Sequence, residues 1–265
     1  MTAHLTSRPP VSSFERYRQP LWLLTKRDLR VRYSTSLLGY FWSILDPLVM
    51  AAIYWFVFTQ VFHREVGEKP YIVFLLTALL PWTWFTGTVS DCTRAFLRES
   101  KLIRSTKIPR TIWVTRLVLS KGIEFLASIP VIALFALATG APVHWEALWV
   151  ILAITLQAAL LVGIGLIVAP LVVFFRDLER AVKLALRFLF YASPIIYNIS
   201  DLPKGLHLLA SFNPLAGIFS LYRGAFFPSQ IDWSTVGVGS AVIAVLLICG
   251  VVVFSRTERA VLKEI

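Results

Sequence analysis

The chain has 265 residues, of which 57% are hydrophobic and only 15% are charged, and its formal net charge is +11. A soluble domain is nearer half apolar and a quarter charged, so this composition excludes an ordinary soluble protein. The apolar residues are gathered into long runs, which predicts an all-α integral membrane protein. In such a protein the excess of Lys and Arg is expected to face the cytoplasm and anionic membrane lipid, rather than nucleic acid.

The N-terminal part is a basic segment that leads into the first apolar run. Residues 1–19 are rich in Pro, Ser and Arg, which predicts a cytoplasmic tail without a cleavable signal peptide. Residues 20–36 are expected to form an amphipathic interface helix, because Trp22, Leu29 and Tyr33 share one helical face. A solvated basic linker is the alternative. Residues 38–45 are expected to form a separate short gate helix, because Asp46-Pro47 interrupts the apolar run.

Six membrane-spanning helices are predicted, at about 47–62, 71–90, 112–139, 147–175, 182–197 and 234–254. Residues 201–228 contain two short apolar pieces, which we expect to form re-entrant or interfacial helices on the outer side. If both termini are cytoplasmic, every Lys and Arg falls on the cytoplasmic side except Arg64, Lys69, Lys204 and Arg223. This asymmetry favours the proposed orientation over its inverse.

Charged residues also lie in one long loop and at the start of the third span. The loop over 91–111 is the most basic part of the chain. Its segment 98–110 mixes cations with Leu102 and Ile103, which predicts a short helix docked on the membrane or on a partner. An ordinary basic cytoplasmic loop is the alternative. In the third span, Lys121 and Glu124 are three residues apart and are expected to pair; a polar track into the bundle is the alternative.

Motifs for catalysis, nucleotide binding and metal binding are absent from the sequence. No Gly-Lys pair occurs, so there is no phosphate-binding loop of the GxxxxGK[ST] type. The four histidines show no ligand spacing, and the two cysteines suggest neither zinc nor a disulfide framework. These absences predict a chain that is not an enzyme and has no cofactor or metal of its own. If it transports a substrate, its energy is expected to come from a separate subunit.

A set of short motifs follows one order along nearly the whole chain: Lys26-Arg27-Asp28-Leu29, Arg32-Tyr33, Leu38-Gly39-Tyr40-Phe41-Trp42, Asp46-Pro47-Leu48, Phe175-Arg176-Asp177-Leu178, Ser193-Pro194-Ile195-Ile196-Tyr197, Phe212-Asn213-Pro214-Leu215 and Tyr222-Arg223. The ordered set resembles the permeases of ATP-binding-cassette polysaccharide exporters, which handle O-antigen, teichoic acid, capsule or related lipid-linked glycans. The resemblance implies a homodimer in the inner membrane of a bacterium. It also implies two copies of a cytoplasmic ATPase that binds ATP and Mg.

The resemblance further implies roles for particular positions. The segment that couples to the ATPase would contain Glu99, Lys101, Arg104, Lys107, Pro109 and Arg110. The interface and gate helices would contain Arg32, Tyr33, Leu38, Gly39, Trp42, Asp46 and Pro47. The outer gate would contain Asn213, Pro214, Tyr222 and Arg223.

A glycan channel is expected to present aromatic faces, because the C–H surfaces of sugar rings pack against them. The candidates are Trp55, Phe58, Trp82, Trp84, Phe85, Tyr191 and Tyr197, and for each of them core packing or anchoring at the membrane interface is the alternative. Three other functions stay open at this point: an exporter of a drug, lipid or small glycolipid, a membrane-embedded glycan-modifying enzyme, and a non-catalytic scaffold. The enzyme would need a cluster of acidic or metal-binding residues, and the scaffold would not explain the interrupted helices.

Overall fold

The structure is a computed structural model that describes residues 13–34, 39–61 and 67–264. Within these ranges the chain is helical and contains no strand. The helices are α1 (Ser13–Ser34), α2 (Gly39–Trp55), α3 (Tyr71–Cys92), α4 (Ala95–Arg98), α5 (Ser100–Ser105), α6 (Ile112–Thr139), α7 (Trp149–Phe174), α8 (Leu178–Ala192), α9 (Lys204–Ser211), α10 (Pro214–Gly224) and α11 (Trp233–Glu264). A π-helical turn (Phe56–Val61) extends α2, and 3-10 turns cover Trp145–Leu148, Ile199–Asp201 and Pro228–Gln230.

Four helical stretches within the described ranges are long and apolar enough to cross a membrane. They are Tyr71–Cys92, Ile112–Thr139, Trp145–Phe174 and Trp233–Glu264, which correspond to the second, third, fourth and sixth expected spans. The last one continues beyond residue 254 into the basic C-terminal segment. The other two expected spans correspond to shorter helices, since Leu45–Val61 is apolar but short and α8 has 15 residues.

The first expected span differs from its prediction. α2 runs without a break through Asp46 and Pro47, so the separate helix expected over 38–45 is wrong. Proline removes one backbone hydrogen bond. The residues that follow it, such as Leu48 and Tyr54, pack against the main core, and this packing offsets the loss. Leu38 lies outside the described residues.

Three other elements have different bounds from those expected. The interface helix begins at Ser13 and contains Pro20, rather than starting there. The coupling segment is two short helices, α4 and α5, which meet at Glu99 and are followed by an extended stretch. The helix expected over 182–197 is α8, which ends at Ala192 because the residue before Pro194 is driven into extended conformation.

The two ends of the helical bundle are chemically different. We call the first the basic end: it holds α1, α4, α5 and residues 106–111, and it includes the start of α8, where Glu179 contacts Arg94. The opposite end brings together the loops 67–70, 140–148 and 225–232. There the His144 N–H donates to the Ala225 carbonyl at 2.9 Å, and Gln230 donates to Glu68 at 2.8 Å.

The core is organised around α3, whose residues from Val73 to Leu80 are almost fully buried. α7 and α11 approach one another at Gly163 and Gly250. A Cβ atom on residue 250 would overlap the Gly163 carbonyl oxygen, so only glycine fits at this crossing. This close approach agrees with the packing expected of small residues in membrane helices.

Candidate functional site

A cleft of about 560 Å³ opens between α2, α3 and α8. Its wall combines charged, hydroxylated and aromatic side chains: Asp46, Lys183 and Arg187, then Thr83, Thr86 and Ser90, and then Tyr54, Trp82, Phe190 and Tyr191. The helical spacing of Lys183, Arg187, Phe190 and Tyr191 places them on the same side of α8. The cleft therefore offers polar groups and flat apolar faces along a single surface.

Phe190 contacts each of the other three aromatic side chains of the cleft wall. Its ring stacks on Tyr54 with centroids 5.9 Å apart, and it meets Trp82 at 5.6 Å and Tyr191 at 5.1 Å, both edge to face. Such offset and edge-to-face pairs are the arrangements that aromatic side chains prefer. Tyr191 remains 65% exposed, so its ring is available to a ligand in the cleft.

Two of the candidate aromatics, Trp82 and Tyr191, thus line this cleft. Tyr54 and Phe190 also line the cleft but were not among the candidates expected from the sequence. Phe190 had a usable signal, because it follows Lys183 and Arg187 at helical spacing on an amphipathic helix. Tyr54 had no such signal in the sequence, because the part of α2 around it is apolar on all sides.

The other candidate aromatics lie elsewhere. Trp84 is buried against Phe125, with ring centroids 5.3 Å apart, and its Nε1 donates to the Val118 carbonyl at 3.1 Å. These contacts match the packing alternative for Trp84. The remaining candidates do not line the cleft: Phe85 is buried beside Trp82, Trp55 is exposed, Phe58 meets the edge of Tyr71, and the Tyr197 hydroxyl donates to the Tyr191 carbonyl.

A cluster of four charged side chains lies at the basic end. Arg116 of α6 is only 3% exposed, and its Nη1 donates to both carboxylate oxygens of Asp28 at 2.8 Å. Its Nη2 lies 3.5 Å from Glu99, and Arg27 donates to the same carboxylate at 2.6 Å. Because Arg27 and Asp28 belong to α1, the cluster joins α1, α6 and the junction of α4 and α5. We call these four residues the junction cluster.

The charges of the junction cluster are mutually compensated. Burial disfavours the charged form of Arg27, but the contacts with Glu99 and Asp28 outweigh it and raise the pKa of Arg27. Glu99 was expected from the sequence as a coupling residue. No local pattern connects it with Arg27, Asp28 and Arg116, which are distant in the chain.

A second charged contact joins Arg94, the residue just before α4, to α8. Glu179 accepts hydrogen bonds from Arg94 Nε at 3.0 Å and from Lys183 Nζ at 2.6 Å. The hydrogen bonds from Arg94 and Lys183 lower the pKa of Glu179 to about 2. Since Lys183 also lines the cleft, one carboxylate joins the start of α4 to the cleft.

The other expected coupling residues form an exposed basic surface. Lys101, Arg104, Lys107 and Pro109 are exposed, and Arg110 is half-buried and donates to the Ile108 carbonyl at 2.9 Å. A groove of about 1230 Å³ separates this surface from α1, with Lys107 and Pro109 on one side and Leu23 and Arg30 on the other.

The expected gate residues are placed partly on α2. Asp46 and Pro47 line the cleft, Trp42 is exposed, and Gly39 begins the helix. Arg32 and Tyr33 belong to the last turn of α1, and their side chains lie outside the described part of the structure.

The expected outer-gate residues are brought together around α10. Asn213 caps this helix by accepting from the Leu215 N–H at 3.0 Å, and Pro214 is its first residue. The Tyr222 hydroxyl donates to Gln157 at 3.0 Å. Arg223 is buried, lies 3.6 Å over the Phe74 ring, and donates to the Ile195 carbonyl at 2.8 Å.

The polar pair expected in the third span is confirmed, since Lys121 lies 3.3 Å from Glu124. Across the described ranges, no group of three or more His, Cys, Asp or Glu side chains is arranged to hold a metal ion.

Comparisons with known proteins identify the family. Residues 19–227 match the family described as ABC-2 type transporter. The chain is 32% identical to an O-antigen export system permease protein RfbA from Klebsiella pneumoniae, over 90% of this chain and 92% of the relative. It is 26% identical to the O-antigen export system permease protein RfbA from Myxococcus xanthus, again over 90% of this chain and 92% of the relative. It is 25% identical to the polysialic acid transport protein KpsM from Escherichia coli, over 96% of this chain and 99% of the relative. The chain therefore belongs to the ABC-2 type transporter family.

Proposed function

We propose that this chain is the membrane subunit of an ATP-driven exporter that moves a lipid-linked polysaccharide across the inner membrane of a bacterium. The observation that carries the proposal is the cleft between α2, α3 and α8, which combines aromatic faces with hydroxyl and charged groups. Sugar rings present C–H faces and hydroxyls together, so a wall of this composition suits them. The names of the relatives, which refer to O-antigen and polysialic acid, point to the same class of cargo.

A second copy of the chain completes the path in this proposal. One copy supplies a wall that is open on one side, and apolar residues of α8 beside it are exposed, including Leu184 and Phe188. A polar cleft cannot stay open to lipid, because its hydrogen-bonding groups would have no partners there. Pairing two copies across α8 would cover these residues and enclose the cleft between two walls. The six-span subunit with both termini in the cytoplasm fits this arrangement.

ATP hydrolysis would occur on two copies of a cytoplasmic ATPase, which hold the ATP and Mg. The exposed cations of α5 and of residues 106–110 would bind the ATPase, because a basic surface favours an acidic partner. A motion of this segment would reach α1 and α6 through the junction cluster, and α8 through Glu179. Both routes end at helices that border or support the cleft.

Reconstitution of the complex tests the proposal. The chain is co-expressed with its candidate ATPase, purified, and inserted into vesicles that contain the lipid-linked glycan of the producing strain. The proposal predicts that ATP drives the glycan to the opposite leaflet and that the glycan changes the rate of ATP hydrolysis. Transport of a short glycolipid or drug without any response to the glycan would assign the chain to the alternative class of exporter. Absence of a co-purifying ATPase would overturn the proposal.

A further inference from the structure

A second cavity, distinct from the cleft, lies at the end of the bundle opposite the basic end. It has a volume of about 280 Å³ and lies between α9, α10, residues 194–200 and the turn that precedes α11. At about 30 Å³ per water molecule, this is space for about nine waters, or for one sugar ring and a few waters. Pro194 lines the cavity, and Tyr191, three residues earlier in the chain, lines the cleft, so the two spaces are adjacent along the chain.

The side chains around the cavity include several hydrogen-bond donors that are not used by the rest of the fold. Arg223 is 2% exposed, and its Nε has no partner among the described residues. Asn198 uses its Oδ1 to accept from the Ile199 N–H, which leaves its amide nitrogen available. The Ser200 and Ser229 hydroxyls line the cavity and make no hydrogen bond to other described residues.

The cavity also contains acceptors, which decide the kind of ligand. His207 Nε2 lies 2.8 Å from the Leu202 carbonyl, so it must donate there, and the other ring nitrogen of a neutral His207 is an acceptor. Asp232 adds a carboxylate, which Thr235 and Ser234 hold in place by hydrogen bonds of 2.6 and 2.7 Å. A carboxylate or a fully ionised phosphate monoester could satisfy the donors, but it has no proton to donate to His207 and would be repelled by Asp232. Hydroxyl groups both donate and accept, so they satisfy both sets.

We propose that this cavity binds one sugar unit of the glycan after it has passed the cleft. The inference rests on the function proposed above and adds to it a second recognition site, formed by the donors Arg223 and Asn198 and the acceptors His207 and Asp232. A site at this position binds the sugar as it leaves, and the bound sugar is held away from the cleft.

The test uses the complex of the chain with its ATPase in nanodiscs. The probe is the surface polysaccharide of the producing strain, released from its lipid and hydrolysed to oligosaccharides, and binding is followed by saturation-transfer NMR. We expect saturation transfer that is strongest for one sugar type. Ser229→Phe fills the cavity from its exposed rim and Asn198→Ala removes a donor, and each is expected to raise the Kd about tenfold or more, equivalent to about 1.4 kcal/mol.

Thr139→Phe is the matched control, because Thr139 is an exposed hydroxyl residue at the same end of the molecule but does not line the cavity. It should leave the Kd unchanged. Because sugars can also contact the cleft, the cavity variants are compared in proteins that carry Tyr191→Ala as well. The proposal is overturned if Ser229→Phe leaves the saturation transfer unchanged in that background, or if wild-type complex that transports lipid-linked glycan shows no transfer to the oligosaccharides. In that second case the cavity holds solvent only, while the transport function stands. Failure of the wild-type complex to transport any glycan would instead remove the transport function and, with it, this inference.

Discussion

Arg116 and Asp28 are 88 positions apart in the chain, yet one guanidinium nitrogen of Arg116 donates to both oxygens of the Asp28 carboxylate at 2.8 Å. The pair joins α6, which crosses the membrane region, to α1, which lies along the basic end. Its other neighbours are Arg27 and Glu99, so any shift of the coupling segment at Glu99 acts directly on both helices.

Arg116→Gln is expected to destabilise the protein by about 1–3 kcal/mol, because Asp28 loses its buried partner and keeps only the contact with Arg27 at 3.2 Å. The double variant Arg116→Gln/Asp28→Asn should lose less than the sum of the single losses, since it leaves no uncompensated charge. Thermal unfolding of the four proteins in detergent measures this coupling. Additive losses would mean that the two side chains do not depend on one another. Arg116→Lys should also weaken the protein, because an ammonium cannot reproduce the planar geometry.

Arg104→Glu and Lys107→Glu are expected to weaken binding of the ATPase about tenfold each, with the effect largest at low salt, because both cations are exposed on the coupling segment. The measurement is co-purification and binding of the ATPase to nanodiscs at two salt concentrations. Lys263→Glu makes the same charge change in the C-terminal segment and should leave binding intact. Equal losses in all three variants would assign the effect to net charge alone.

Tyr191→Ala is expected to reduce glycan transport several-fold without a change in melting temperature. The ring is largely exposed in the cleft, so its loss removes little packing. Leu137→Ala is the control, since Leu137 is 82% exposed and lies outside the cleft. Transport into vesicles and thermal unfolding are measured on the same preparations. Normal transport by the Tyr191 variant would exclude this ring from the path.

Gly250→Ala is expected to destabilise the protein by about 1–3 kcal/mol, because the added methyl group would overlap the Gly163 carbonyl at the crossing of α7 and α11. Gly237→Ala lies on the same helix with no atom within 4 Å of the new methyl group, so it should be neutral or slightly stabilising. The difference between their melting temperatures in detergent tests the crossing. Similar values would show that α7 and α11 do not approach so closely.

The sequence was most informative where a signal is local. Residues 112–139 were expected as a span, and α6 has the same bounds because its apolar run is long and ends before Gly140, which adopts a positive φ of 71°. The contact between Lys121 and Glu124 was likewise predictable, because residues three apart on a helix are neighbours. The continuity of α2 through Pro47 was not predictable, because whether a proline kinks or breaks a helix depends on what packs around it.

Non-local features could not be predicted. Trp82 and Trp84 looked equivalent in the sequence, but residues two apart on a helix point in nearly opposite directions, so one lines the cleft and the other is buried against Phe125. The junction cluster has no local signature, because its members come from α1, the α4–α5 junction and α6. Only the packing of these elements shows which cations are surface charges and which are buried partners.

Photo-crosslinking during transport tests the central claim most directly, which is that the glycan passes through the cleft between α2, α3 and α8. A photoreactive phenylalanine analogue replaces Tyr191 in one variant and Leu137 in another, and each reconstituted complex is illuminated while ATP drives transport. We expect the glycan to be captured at position 191 only when ATP is present, and not at position 137. Capture at position 137, or no capture at 191 in a complex that still transports the glycan, would contradict the proposed path.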